Sequence, residues 1–449
     1  METGVQLPTP ARFQTARADR PVLRREGQWA GVAVAPFVNE SIHHKRHALR
    51  AILAGLGLTL VQLLVAVVLI APEGPMEYRY QTLVQHDSYW FANIIDRGYD
   101  SILPPITRKM MEVSNVAFFP AYPAIAAVLH KVTGFGIYNS LLITAQVAAW
   151  GFWTYFFLLC ERWTVRPELQ FVGAMSILAH PTAFFLVAAY SESLFLMALL
   201  GFVYWSAADG RLAKVAAAAH GVVMSATRIV GIPCAAYPIV RALCQRGSRQ
   251  LRGVRSWPRD YAGPAALMVA ATLGGFGFFV YCLVRWGRWD LYMQTQAAGW
   301  AIVPDYLAVL KPSSYRWLIP PVDDPTKASQ MTMTLGVIAF LLVAIWELFA
   351  ARRWRTAWQT RVGLYFCAFV TFYLAVSGVA SVEMESMLRY QFCAHALIVL
   401  ALLHFLAQFR TPPMSMRTAA MMTAAVLWPL GFSLQGWYVW NFTRAGWVA

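Results

Sequence analysis

The stretch Ala51–Pro72, AILAGLGLTLVQLLVAVVLIAP, decides the fold class. It runs 22 residues without a charged side chain, and about 20 apolar residues suffice for a helix to cross a bilayer core. Comparable runs recur at 262–284, 329–350, 362–380, 390–409 and 418–435. A denser block follows the first of them, with apolar runs at 117–133, 139–160, 170–187, 190–207 and 214–244, the last interrupted by Arg228, Gly231 and Pro233. Composition agrees: 58% of residues are hydrophobic and 13% charged, where soluble domains carry about 25% charged residues. The expectation is an all-α, polytopic helical membrane protein of roughly 11 transmembrane helices. Residues 51–449 would form one transmembrane domain behind a flexible, basic cytoplasmic arm at 1–50. No internal repeat is evident, so an inverted-repeat transporter lacks its usual trace.

The formal net charge is +15, and its placement decides what it means. Arg241, Arg246, Arg249, Arg252, Arg255 and Arg259 share one loop between apolar runs, and Arg352, Arg353, Arg355 and Arg361 share another. Short basic loops between apolar spans mark the cytoplasmic side, so nucleic acid is excluded as a partner and the lipid bilayer takes its place. The first 50 residues hold eight Lys or Arg against four acids, whereas 73–116 holds six acids against four bases. The first loop, 285–328 and 381–389 are therefore expected on the outer face. Parity within 117–245 does not close unless one apolar run is a half-span or a hairpin. No secretory signal peptide is expected in residues 1–50, which lack a short apolar stretch with a cleavage site. Arginine outnumbers lysine 31 to 6, the codon signature of a GC-rich genome. The expected location is a bacterial plasma membrane, or the endoplasmic reticulum membrane in a eukaryote. The six cysteines are scattered without a CxxC pair and read as small buried hydrophobes.

The segment after the first span reads HDSYWFANIIDRGYD, His86 to Asp100. A carboxylate among aromatic side chains at the membrane surface is placed for chemistry on a substrate that arrives through the membrane, and Asp87 is the candidate. Glycosidases need two carboxylates because an alkoxide leaving group must be protonated. A sugar carried on a phosphate needs less help, since phosphate departs as a stable anion, and one aspartate can serve as general base. The phosphate needs cations, and the planar fork of arginine suits it. Arg228 in SATRIVG and Arg389 in ESMLRYQF interrupt apolar sequence, where an ionisable residue is a functional candidate by default. The bland alternative for Arg389 is a pair with Glu385, one helical turn away. The motif HPTAFFLVAAYSESLFL, His180 to Leu196, carries Tyr190 and Glu192 between two apolar runs.

These segments together resemble the PIG-V family, the second mannosyltransferases of GPI-anchor assembly and their bacterial relatives, within the GT-C superfamily. That family's first-loop motif is roughly Trp-Asp-Ser-x-x-Phe/Tyr, then Ile-Ala, then Gly-Tyr. Asp87, Ser88, Phe91, Gly98 and Tyr99 match it. FFPAYP at Phe118–Pro123, HPTAFFLVAAYSESLFL, TRIVG at Thr227–Gly231, QTQAAGW ending at Trp300, and Arg389-Tyr390 resemble later motifs in the same order. Two positions depart: His86 stands where the family often has Trp, and Ser191 where it often has Thr.

The resemblance implies a GT-C-type bundle with the active site at its outer face. It implies a polyprenyl-phosphate-linked mannose, or a related hexose, as donor, and Asp87 as catalytic base of an inverting transfer to a glycan, lipid or protein acceptor. Arg389 and Arg228 are then expected at the donor phosphate. Tyr99, Tyr190, Glu192, Tyr390, Trp300 and His86 are expected around the sugar or acceptor. Neither a cofactor nor a metal is called for, although Asp87 and Glu192 could share an ion. Asp87 and Arg389 should face one cavity with their charged groups within roughly 15 Å. The rival class is a multi-pass transporter or lipid flippase.

Overall fold

The computed structural model describes residues 37–101, 114–246, 257–316, 325–354, 359–409 and 414–448. Most of the arm expected at 1–50, and 247–256 of the basic loop at 241–261, lie outside the described residues. Among those described, the secondary structure is helical. Six helices are long and apolar enough to cross a membrane, and the chain is an integral membrane protein. The outward faces of these helices agree. On α13 (Pro325–Trp354) Leu341, Leu342, Ile345 and Leu348 are all more than half exposed, a stripe tolerable only against lipid.

The first helix, α1 (Phe37–Leu63), opens inside the expected arm and passes into a π-helical turn at Leu64–Ile70. Two short helices follow it, α2 (Met76–Gln81) and α3 (Asp87–Arg97), and α3 is the segment that carries the candidate base. The run at 117–133 is shorter than read: a 3₁₀ turn at Asn115–Ala117 precedes α4 (Ala121–Thr133). The next helix, α5 (Ile137–Arg162), is a full span packed along α1.

The apolar run at 170–187 is not a span. Its helix, α6 (Pro167–Leu178), has 12 residues, about 18 Å against a hydrocarbon core of about 30 Å. The chain then leaves the helix as a strap, 179–191, before α7 (Glu192–Ser206) begins. Residues 183–189 of this strap are almost wholly buried. Non-helical backbone at such depth survives only where protein satisfies its polar groups, and glutamines from three helices do so. Gln62 of α1 donates to Ala183 O at 3.1 Å and Gln146 of α5 to Val187 O at 3.3 Å. Gln435 of α16 (Met414–Phe442) donates to Leu178 O and His180 O at 2.9 and 2.8 Å.

The run at 214–244 breaks where the sequence is interrupted, into α8 (Arg211–Thr227), α9 (Gly231–Cys234) and α10 (Tyr237–Arg246). Arg228 caps α8 in extended conformation, φ −151° and ψ 145°. Behind it lies α11 (Trp257–Trp286), so close that a Cβ on Gly274 would meet the backbone carbonyl of Val222. Small residues allow such approach between membrane helices. The loop expected after 284 contains α12 (Leu291–Trp300). Two further spans, α14 (Gln359–Val379) and α15 (Met387–Leu406), pack against each other. Three non-glycine residues in their connection, Glu383, Met384 and Ser386, hold left-handed φ of 54°, 65° and 63°. The main core fills the space between α5, α7, α14 and α15, around Trp153, Phe195, Phe202 and Phe392.

Candidate active site

Asp87 is the first residue of α3, and His86 before it has φ 49° and ψ −109°. A non-glycine residue held there costs about 1–3 kcal/mol and needs support from its surroundings. His86 Nε2 lies 3.1 Å from Gly446 O, and its ring packs edge-on against Trp447, centroids 4.9 Å apart. The first turn of α3 is also stitched to the strap: Ser88 Oγ donates to Ala189 O at 3.0 Å, and Tyr190 OH donates to Gln85 O at 3.2 Å. These contacts set Asp87 beside the start of α7, and therefore beside Glu192.

The expected separation of Asp87 and Arg389 is exceeded in the close direction, since the two form an ion pair. Arg389 Nη1 lies 2.8 Å from Asp87 Oδ2, across 302 positions of sequence. The tight left-handed turn before α15 places Arg389 in that helix's first turn, where it is 6% exposed. Its Nη2 donates to Tyr390 OH at 3.1 Å, and its guanidinium lies over the Tyr190 and Tyr390 rings, 5.2 and 4.9 Å from their centroids. Glu385 does not take this arginine.

Glu192, expected around the sugar or acceptor, lines the cavity and is also the counter-ion between two arginines. Oε1 lies 2.7 Å from Arg228 Nη1 and 3.5 Å from Arg389 Nε. Its side chain is 2% exposed, and Oε2 accepts no hydrogen bond. Breaking α8 at Arg228 is what lets that guanidinium reach Glu192 and sit 5.4 Å from the Tyr390 centroid. Removing one partner from a buried pair leaves an uncompensated charge, so these four charges hold one another in place.

They line a cavity of about 270 Å³, near the lower end of small-molecule sites at about 300–1,000 Å³. Asp87, Tyr190, Glu192, Arg228, Arg389 and Tyr390 all face it. Three expected residues do not. Trp300 stands behind the wall, 5.2 Å from Trp90 and 5.7 Å from Phe118 between centroids. Tyr99 donates to Phe118 O at 2.8 Å and packs on Phe278. Burial pushes its phenol well above the usual tyrosine value, so it is a fixed donor. His86 packs against Phe442 and Trp447 and does not line the cavity.

The sequence reading missed the far wall. Tyr292 and Gln296 of α12 line the cavity, with Tyr306 from the loop beyond. Gln296 Nε2 donates to Ala117 O at 3.0 Å, which ties α12 to the first loop. Burial pushes the Tyr292 phenol to about 12, leaving it a neutral hydrogen-bonding group. The signal lies in the motif QTQAAGW, through Gln296 rather than Trp300. Asn115 was also unforeseen: its amide donates to Asn93 Oδ1 at 2.8 Å and Gly98 O at 2.9 Å, and its Oδ1 accepts from Asp100 N at 2.9 Å. Among the described residues no three His, Cys, Asp or Glu side chains converge into a metal-holding group. Asp87 and Glu192 each turn an oxygen to an arginine instead.

No protein-family model matches the chain, and no curated protein matches it. Among solved structures it is similar to ArnT from Cupriavidus metallidurans bound to undecaprenyl phosphate. That likeness has 15% sequence identity and covers 87% of this chain and 68% of that one, with a TM-score of 0.46. At that TM-score it decides neither fold family nor activity.

Proposed function

We propose that this protein is a GT-C-type membrane glycosyltransferase of the PIG-V kind. It moves mannose, or a related hexose, from a polyprenyl phosphate to a glycan, lipid or protein acceptor, with inversion. The observation that carries the reading is the pairing of Asp87 with Arg389 on a cavity that also holds Arg228. A phosphate-borne sugar needs a base for the incoming hydroxyl and cations for the departing phosphate, a few ångströms apart. Both are here, and the aromatic side chains of Tyr190, Tyr292 and Tyr390 offer flat faces for a sugar ring. The order of the motifs from Asp87 to Tyr390 supports the mannose assignment.

In the reaction, Asp87 takes the proton of the acceptor hydroxyl while that oxygen bonds to the anomeric carbon. The bond from this carbon to the phosphate oxygen breaks, and its electron pair leaves with the polyprenyl phosphate. Attack opposite the leaving group inverts the centre. Arg389 and Arg228 receive the developing phosphate charge, an electrostatic contribution that grows toward the transition state. The basic loops support an outer-face site.

The test is a transfer assay in membranes with polyprenyl-phosphate-mannose and a panel of acceptors. Mannosyl product formed by the wild type, and lost in Asp87→Asn, is the expected result. Absence of transfer from any polyprenyl-phosphate hexose to any acceptor overturns the reading. Orientation is checked with single cysteines at Ser101 and Ser248 in a cysteine-free background. An impermeant thiol reagent on intact cells should label Ser101→Cys and spare Ser248→Cys.

A further inference from the structure

The charges at the cavity cancel: Asp87 and Glu192 stand against Arg228 and Arg389. An anionic headgroup therefore meets no spare cation. Each arginine already faces a carboxylate, and Arg389 has both of its Nη atoms engaged, by Asp87 and by Tyr390, so a phosphate that grips its fork has to displace a partner. We propose that the donor phosphate binds Arg389 by displacing Asp87, so that donor binding itself frees the base. The proposal rests on the reading of this cavity as a polyprenyl-phosphate-sugar site and adds how that site is switched on.

Geometry decides which carboxylate yields. Glu192 has a side chain 2% exposed and is held from two sides, at 2.7 Å by Arg228 and 3.5 Å by Arg389. Moving it would strip both arginines and strand a carboxylate in the protein interior, the costly way to break such a pair. Asp87 is 21% exposed and meets Arg389 through one oxygen and one nitrogen at 2.8 Å. It can turn into the cavity while the incoming phosphate and Glu192 keep the buried Arg389 paired. Its fork also makes Arg389 the better recipient of phosphate, because a guanidinium grips two phosphate oxygens at once where here it grips one carboxylate oxygen. Glu192 stays as the fixed counter-ion that keeps both arginines aimed.

The consequence is an order of events. With no donor present, Asp87 Oδ2 is held by Arg389 and the carboxylate is turned toward the arginine. Once phosphate has replaced it, the carboxylate lies beside the sugar and can take the proton of an acceptor hydroxyl, as the transfer written above requires. After transfer the polyprenyl phosphate carries the added charge and remains on the arginines. Its departure lets Asp87 return.

The experiment is a binding titration of the full-length protein in nanodiscs with undecaprenyl phosphate, and with undecaprenol as the uncharged control. Wild type is compared with Asp87→Asn, Asp87→Ser and Glu192→Gln, each first shown to be monodisperse. If Asp87 occupies Arg389 in nine molecules of ten, removing it raises apparent affinity about tenfold. The expected result is tighter undecaprenyl phosphate binding by Asp87→Asn or Asp87→Ser, unchanged undecaprenol binding, and no gain in Glu192→Gln. Unchanged or weaker phosphate binding in both Asp87 variants, with wild type still binding, overturns the displacement and leaves the transferase reading standing. Equal tightening by Glu192→Gln also overturns it, because counting charges would then explain the gain. A wild type that binds undecaprenyl phosphate no better than undecaprenol overturns both.

Discussion

Among the described residues, two buried arginine–carboxylate clusters are built to opposite specifications. In one, Arg361 of α14 grips Glu347 of α13 with two parallel hydrogen bonds of 2.6 Å each, and Tyr365 OH donates to the same carboxylate at 2.8 Å. The arginine side chain is fully buried and lies over Phe405. Both oxygens of Glu347 are engaged. In the other, Arg389 is divided among Asp87, Glu192 and Tyr390, Glu192 Oε2 has no partner, and an open cavity adjoins all of them. The first cluster joins two helices and has nothing left to offer. The second keeps unused hydrogen-bonding capacity where a ligand can reach it. Chemistry alone does not separate a staple from a site, since both use the same side chains; saturation does.

Substitutions can break this contrast, and the largest effect is expected at the staple. Glu347→Leu keeps volume but leaves Arg361 buried without its carboxylate, a loss of about 3–5 kcal/mol. It should appear as a large fall in thermal midpoint in detergent, with transfer per folded molecule preserved. Next comes Asp87→Asn, which keeps shape but cannot take a proton. Its turnover should drop by about a hundredfold or more, while the thermal midpoint falls less than in Glu347→Leu, because the amide oxygen can still accept from Arg389 and Glu192 still pairs with it. A near-normal rate in a well-expressed Asp87→Asn preparation would remove Asp87 from the mechanism. If the two variants exchange these phenotypes, the distinction drawn from saturation fails.

Arg389→Lys sharpens the same contrast within the site. The charge survives but the fork is lost, so the KM for the polyprenyl-phosphate donor should rise by about tenfold, the discrimination of about 1.4 kcal/mol. A KM unchanged from wild type would assign the phosphate to Arg228 alone. The smallest effect on transfer is expected behind the site. Gln435→Leu leaves the carbonyls of Leu178 and His180 without their shared donor, costing about 1–3 kcal/mol of stability. Because the strap also positions Tyr190 and Glu192, turnover should fall a few-fold with it. Unaltered stability would mean that the strap's carbonyls find other partners.

The sequence was legible where one physical constraint acts alone. Hydrocarbon demands long apolar helices, and the runs at Ala51–Pro72, 262–284 and 362–380 could be read for that reason. It was also legible where a charge interrupts such a run. Arg228 and Arg389 were visible as costly residues, and the break at Arg228 is a true helix end. The strap at 179–191 was not legible. Phe184, Phe185, Leu186 and Val187 are as apolar as any span, and nothing local distinguishes a buried irregular segment from a buried helix. What permits it is distant: the side chains of Gln62, Gln146 and Gln435, each alone in its own helix, reaching carbonyls of the strap and of the last residue of α6.

The sequence by itself determined that this protein lives in a membrane, that its first loop bears a carboxylate among aromatic side chains, and that two arginines stand where apolar residues would be easier to bury. Only the tertiary structure decided what those groups are to one another. Glu192 pairs with both arginines at the cavity, Trp300, Tyr99 and His86 stand outside the cavity lining, and Tyr292 and Gln296 belong to it. The physical reason is that hydrophobic burial acts on each segment separately, whereas a site is made of contacts across 302 positions of chain. Those distances are set by how helices pack and not by the composition of any one of them.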